Sequence, residues 1–142
     1  MREINQTVAS GVVAGIFLGL FLKAVEYITG LKVYTLLLNV DYIAILKDYA
    51  FPEFVEFVFH LVISVLLSLV TYYYLLKRTS KMRLVINLSL LVGFLLYPTT
   101  MLSDRTPEIN STYAFLFWML GHGLYGVVLG WMLTNIRRNE GR

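Results

Sequence analysis

The chain has 142 residues, 58% of them hydrophobic and 15% charged, with a mean hydropathy of +0.69. Twelve Lys and Arg against nine Asp and Glu are too few to clothe a soluble domain, so the composition points to a single membrane domain without a separate catalytic module. Cysteine is absent, which excludes disulfides, thiolate metal sites and cysteine nucleophiles.

A helix crosses a ~30 Å hydrocarbon core in roughly 20 residues. Four segments qualify, at 8–28, 54–76, 84–102 and 112–136. Each is continuously apolar and too long for a barrel strand, so the expected fold is all-α, a four-helix transmembrane bundle spanning 1–142. The first segment has Arg2 beside Glu3 and no small-x-small site after Lys23, so it reads as a retained helix and not as a signal peptide. Gly11, Gly15 and Gly19 recur every four residues, with Ser10 and Ala14 beside them. Such a strip lets another backbone approach closely, either the fourth helix or a second copy; a glycine-lined substrate path is the alternative. Lys23 shares the face of Gly19, and Glu26 follows it by three residues. The pair can neutralise itself or reach for the interface.

The segment 29–53 carries Val33, Leu36, Leu37, Val40, Ile43 and Ala44 at helical spacing, interrupted by Lys32, Asn39, Asp41 and Asp48. It reads as an amphipathic interfacial helix or as a flap over the bundle. The second span has Glu56, His60, Ser64 and Ser68 at four-residue intervals, flanked by Glu53 and Thr71. A polar stripe on an apolar helix should face the bundle interior or a wet cavity. The connection 77–83, KRTSKMR, is a topology signal and not a nucleic-acid site. The third span contains Asn87 and, near its end, Tyr97-Pro98 with Thr99 and Thr100. Pro98 frees the Phe94 carbonyl and should kink the helix. The loop 103–111 is short and turn-rich; its Asn110-Ser111-Thr112 matches a glycosylation acceptor but abuts the membrane. The fourth span carries His122 and Tyr125 with Gly121, Gly123, Gly126 and Gly130.

Orientation follows from the basic residues. Arg2, Lys77, Arg78, Lys81, Arg83, Arg137, Arg138 and Arg142 fall on one side, and Lys32, Lys47 and Arg105 on the other. Eight against three places both termini in the cytoplasm. Aromatics agree: Tyr72, Tyr73, Tyr74 and Trp131 mark the inner boundary, and Phe51, Phe54, Tyr97, Tyr113, Phe117 and Trp118 the outer one.

At ~1.5 Å per residue, Lys23 and His60 lie roughly 8–9 Å below the outer boundary and His122 about 15 Å below it. If their faces converge, Lys23, Glu26, Glu56, His60, Tyr97 and His122 form one polar pocket open to the outside. The plainer alternative is that each histidine only donates one hydrogen bond to a carbonyl. Two imidazoles ~6 Å apart in depth make a poor metal or haem site, and Glu56 with His60 would still need further ligands. No cofactor and no metal are expected.

The glycine-rich first helix ending near Lys23, His60 early in the second, Tyr97-Pro98 late in the third, Gly121-His122 in the fourth and the basic end Ile136-Arg137-Arg138 resemble the YagU-like family of small bacterial inner-membrane proteins. The resemblance implies an inner-membrane location and no assigned activity. The connection after the first helix is shorter than in longer family members and lacks their cysteine, so nothing placed in that segment carries over. The small multidrug transporters, also short four-helix proteins, insert in both orientations and need a weaker charge bias than this chain has.

The expected function is that of a non-enzymatic accessory or scaffold protein acting through helix–helix contacts. Its partners would be the lipid bilayer and a second copy or another membrane protein, with no nucleic acid. The alternative is a proton-linked channel or transporter using the polar pocket.

Overall fold

The structure, a computed structural model, describes residues 1–47, 49–76 and 82–140. Helix α1 is Arg2–Thr29, α2 Val33–Leu38, α3 Glu53–Val70, α4 Met82–Leu96 and α5 Thr112–Glu140. Four helices, Arg2–Thr29, Glu53–Tyr74, Met82–Leu102 and Thr112–Ile136, are long and apolar enough to cross a membrane. The four-helix expectation therefore holds. Asp48 of the segment 29–53, and Lys77, Arg78, Lys81 and Arg142, used above for topology, lie outside the described residues.

Local chemistry sets the helix ends. α1 stops at Gly30, which takes φ 74° and returns its N–H to the Glu26 carbonyl at 2.8 Å, a left-handed cap that glycine adopts without a Cβ penalty. Pro52 opens α3, and Glu53 and Glu56 in its first turn face the positive end of the helix dipole. α3 then widens into a π-helical coil, Thr71–Leu76, which turns Tyr72 fully inward. The expected kink at Pro98 is instead a helix end. α4 stops at Leu96, and a 3₁₀ turn, Tyr97–Leu102, carries Pro98 in its first positions, where the missing N–H costs nothing.

The helices stand in the order α3, α1, α5, α4, each packing on the next. Of the most apolar window of each span, 44% is buried in α1 and in α5, against 22% in α3 and 28% in α4, so α1 and α5 are central and the other two flank them. α3 and α4 barely touch. Each seam is set by small residues, but not as expected from the glycine strips. A Cβ on Gly11 would lie 2.8 Å from the Val65 Cα, and one on Gly15 2.9 Å from Ser64 Oγ, so this strip seats α3. One on Gly126 would lie 2.8 Å from the Ile86 Cα, so the second strip seats α4. The first and fourth spans meet elsewhere, with Leu18, Leu22 and Phe21 against Gly121. Both strips are thus consumed inside the chain, and neither is a free seam for a second copy.

The segment after α1 is a flap and not a continuous surface helix. Among its described residues only 33–38 is helical, and Val33, Leu36, Leu38, Asn39 and Val40 are buried over the end of the bundle. Its apolar residues from Val33 to Val40 pack inward in a short helix and turns, whereas Ile43 and Ala44, also expected on the apolar face, are exposed. Three expected boundary aromatics are interior as well: Tyr72, Tyr97 and Trp118 are 1%, 3% and 2% exposed. Asn87 faces outward.

Candidate functional site

The gap left between α3 and α4 is a groove. It encloses about 200 Å³. α1 and α5 form its floor, and the flap covers one end. Its walls are apolar and its side opens between the flanking helices, where Val62 and Ile63 are each 50% exposed.

Polar groups gather at the groove floor. Ser64 Oγ donates to the Gly11 carbonyl at 2.7 Å. Having one proton, it must accept from the Tyr125 hydroxyl, 2.9 Å away. One turn on, Ser68 Oγ donates to the Thr7 carbonyl at 2.8 Å. The lower part of the polar stripe on α3 is thus spent on the α1 backbone. The upper part, Glu56 and His60, lines the groove.

The histidines are set from different helices. His60 Nε2 lies 3.0 Å from the Gly15 carbonyl and His122 Nδ1 2.9 Å from the Trp118 carbonyl. A carbonyl only accepts, so these nitrogens carry the protons. His122 is held in a tight cage. Its ring stands 4.4 Å from the Trp118 ring, and Trp118 Nε1 donates to the Gly93 carbonyl at 2.8 Å. A Cβ on Gly93 would lie 2.6 Å from His122 Cγ. Gly93 is therefore the residue that makes room for the imidazole, and a lone glycine in an apolar helix was its only signal in the sequence.

The expected single pocket is two cavities. The second, about 390 Å³, lies at the flap end and is lined by Lys23, Glu26, Tyr34, Glu53, Glu56 and Arg105 among others. There Lys23 pairs with Glu53 at 2.5 Å, not with Glu26. Glu26 instead accepts from the N–H and hydroxyl of Thr35, both at 2.8 Å, and so anchors α2. Tyr34 donates to Glu53 at 2.9 Å. Burial, reinforced by that bond to a carboxylate, pushes the Tyr34 phenol well above its ordinary value. Tyr97 joins neither cavity: its ring packs on Phe115, and its hydroxyl donates to the Ser111 carbonyl at 3.2 Å. Of the six expected residues, only Glu56 lines both spaces, together with Leu38 of the flap. The six residues split because the flap inserts Tyr34 and Leu38 where a continuous pocket would have run.

Arg105 joins these parts and was legible in the sequence only as a loop charge. Its guanidinium reaches Glu56 at 3.0 Å and Asp41 at 3.5 Å, with Asn39 Oδ1 at 3.4 Å. The hydrogen bond to Glu56 holds it above the usual guanidinium range, so it stays charged. The loop 103–111 is thereby clasped to the flap and to the top of α3. The chain matches no family model, no curated protein and no solved structure.

Proposed function

We propose that this is a multi-pass protein of the inner membrane, both termini cytoplasmic, that takes a lipid-like amphiphile from the bilayer into the groove between α3 and α4. The orientation rests on the bias of basic residues. Among the described ones, Arg2, Arg83 and Arg138 are exposed at the end away from the flap. The resemblance to YagU-like proteins supports the same location. On this reading the protein acts by binding and presenting, not by chemistry on the ligand.

One observation carries the proposal: the cavity has apolar walls, a polar floor and a side opening between α3 and α4, two helices long and apolar enough to cross a membrane. Its 200 Å³ falls below the roughly 300–1,000 Å³ typical of sites for drug-sized ligands. It suits one chain and a small headgroup. A proton-linked carrier is the second reading, favoured by His60 and His122 lining the same cavity. Against it, the serines beyond them are bonded to the α1 backbone.

Tryptophan fluorescence tests the binding reading. Trp118 lines the groove and Trp131 is exposed, so Trp131→Phe leaves a single reporter. In nanodiscs, 12-bromododecan-1-ol should quench Trp118 saturably, and Val92→Phe, which fills the groove from α4, should weaken that quenching. Quenching that rises linearly with membrane loading and ignores Val92→Phe would overturn the proposal. For the second reading, pH-driven proton flux into liposomes should fall to background in His60→Ala/His122→Ala; equal flux would end it.

A further inference from the structure

The groove's remaining hydrogen-bonding capacity specifies the headgroup. With His60 Nε2 and His122 Nδ1 donating to carbonyls, the second nitrogen of each neutral ring, His60 Nδ1 and His122 Nε2, carries a lone pair. Neither has a hydrogen-bond partner among the described residues. Neither is sealed off either: the side-chain atoms both sealed and unpaired are Thr7 Oγ1, Asn39 Nδ2 and Thr71 Oγ1. Both residues line the groove. The Tyr125 hydroxyl, its proton committed to Ser64, adds a third acceptor to the same floor.

Unpaired acceptors in an apolar space ask for a donor. A donor headgroup can be neutral, such as a hydroxyl, or cationic, such as an ammonium. A buried ammonium needs a carboxylate partner to offset its desolvation. The carboxylate that lines the groove, Glu56, is held by Arg105. A neutral hydroxyl needs no such partner, and the cavity has space for one chain. We infer that the ligand is a single-chain lipid alcohol whose hydroxyl donates its one proton to the free imidazole nitrogen of His60, in the groove it shares with His122. This rests on the groove being a ligand site, as proposed above.

The same fluorescence assay separates the two claims. 12-Bromododecan-1-ol should bind about tenfold tighter than its methyl ether, the factor expected for one lost hydrogen bond in a dry site. It should also bind tighter than 12-bromododecylammonium. His60→Leu should bring the alcohol down towards the ether while leaving ether binding unchanged, which also reports that the groove is intact. His60→Gln, whose amide can serve Gly15 and still accept from the ligand, should keep most of the preference. If alcohol and ether saturate with equal affinity, or the ammonium binds best, the hydroxyl inference fails and the groove reading stands. If none of the probes quenches saturably, the groove reading itself fails. A preference for alcohol that His60→Leu leaves intact would also overturn the assignment.

Discussion

The two sides of α3 solve opposite problems. Towards α1 it presents Ser64 and Ser68 to a glycine strip, backbones meet closely, and hydroxyls bond across to the Gly11 and Thr7 carbonyls. Towards α4 it presents bulky apolar residues that meet almost nothing. In hydrocarbon, apolar side chains gain little from leaving lipid, so association depends on close approach and a few polar contacts. The contrast teaches that small residues decide where this bundle is closed, and their absence decides where it stays open.

Substitutions can break this contrast, and their effects should fall in a definite order. Gly11→Val drives a side chain into the Val65 backbone. It should cost about 3 kcal/mol or more, read as the shift of the unfolding midpoint in mixed micelles. Gly93→Ala pushes on the caged His122 ring and should cost about 2 kcal/mol, with a change in Trp118 emission. Arg105→Gln leaves the buried Glu56 without its cation. Because the guanidinium is half exposed, solvent screens much of that loss, and about 1 kcal/mol is expected. Its clearer sign is faster labelling of a cysteine placed at Leu38, on the buried face of the flap. Ser64→Ala removes the bond to the Gly11 carbonyl and the one from the Tyr125 hydroxyl; Tyr125 keeps the backbone carbonyl of position 64 at 3.5 Å, so the cost should be about 0.6 kcal/mol. Val92→Phe, on the open side, should move the midpoint by less than about 0.5 kcal/mol. A larger loss from Val92→Phe than from Gly11→Val would mean that the open and closed sides have been assigned the wrong way round.

The spans were legible in the sequence because long apolar runs admit few alternatives. Their lateral order was not. Gly11, Gly15 and Gly19 announce close packing, but nothing in a glycine strip names the helix that will fill it, and α3 did so in place of the fourth span. The flap was half legible: its apolar spacing was visible, but not its folding into a short helix and turns over the bundle. Among the candidate residues, His60 and His122 do share a cavity despite their different depths, because they reach it from α3 and α5. Lys23, Glu26 and Tyr97 do not, because each finds a nearer partner in Glu53, Thr35 and Ser111. Arg105 was illegible as a clasp because Asp41 and Glu56 meet it only through tertiary folding.

The near absence of contact between α3 and α4 bears on how the chain is held together. The spans joined by the connection 77–81 are not partners; the firm pairs are α1 with α3 and α4 with α5, joined along α1 and α5. Severing the polypeptide within 77–81 would therefore sacrifice covalent continuity and no packed seam. Two co-expressed fragments, one ending before the cut and one starting after it, should find each other in the bilayer and co-purify as a complex.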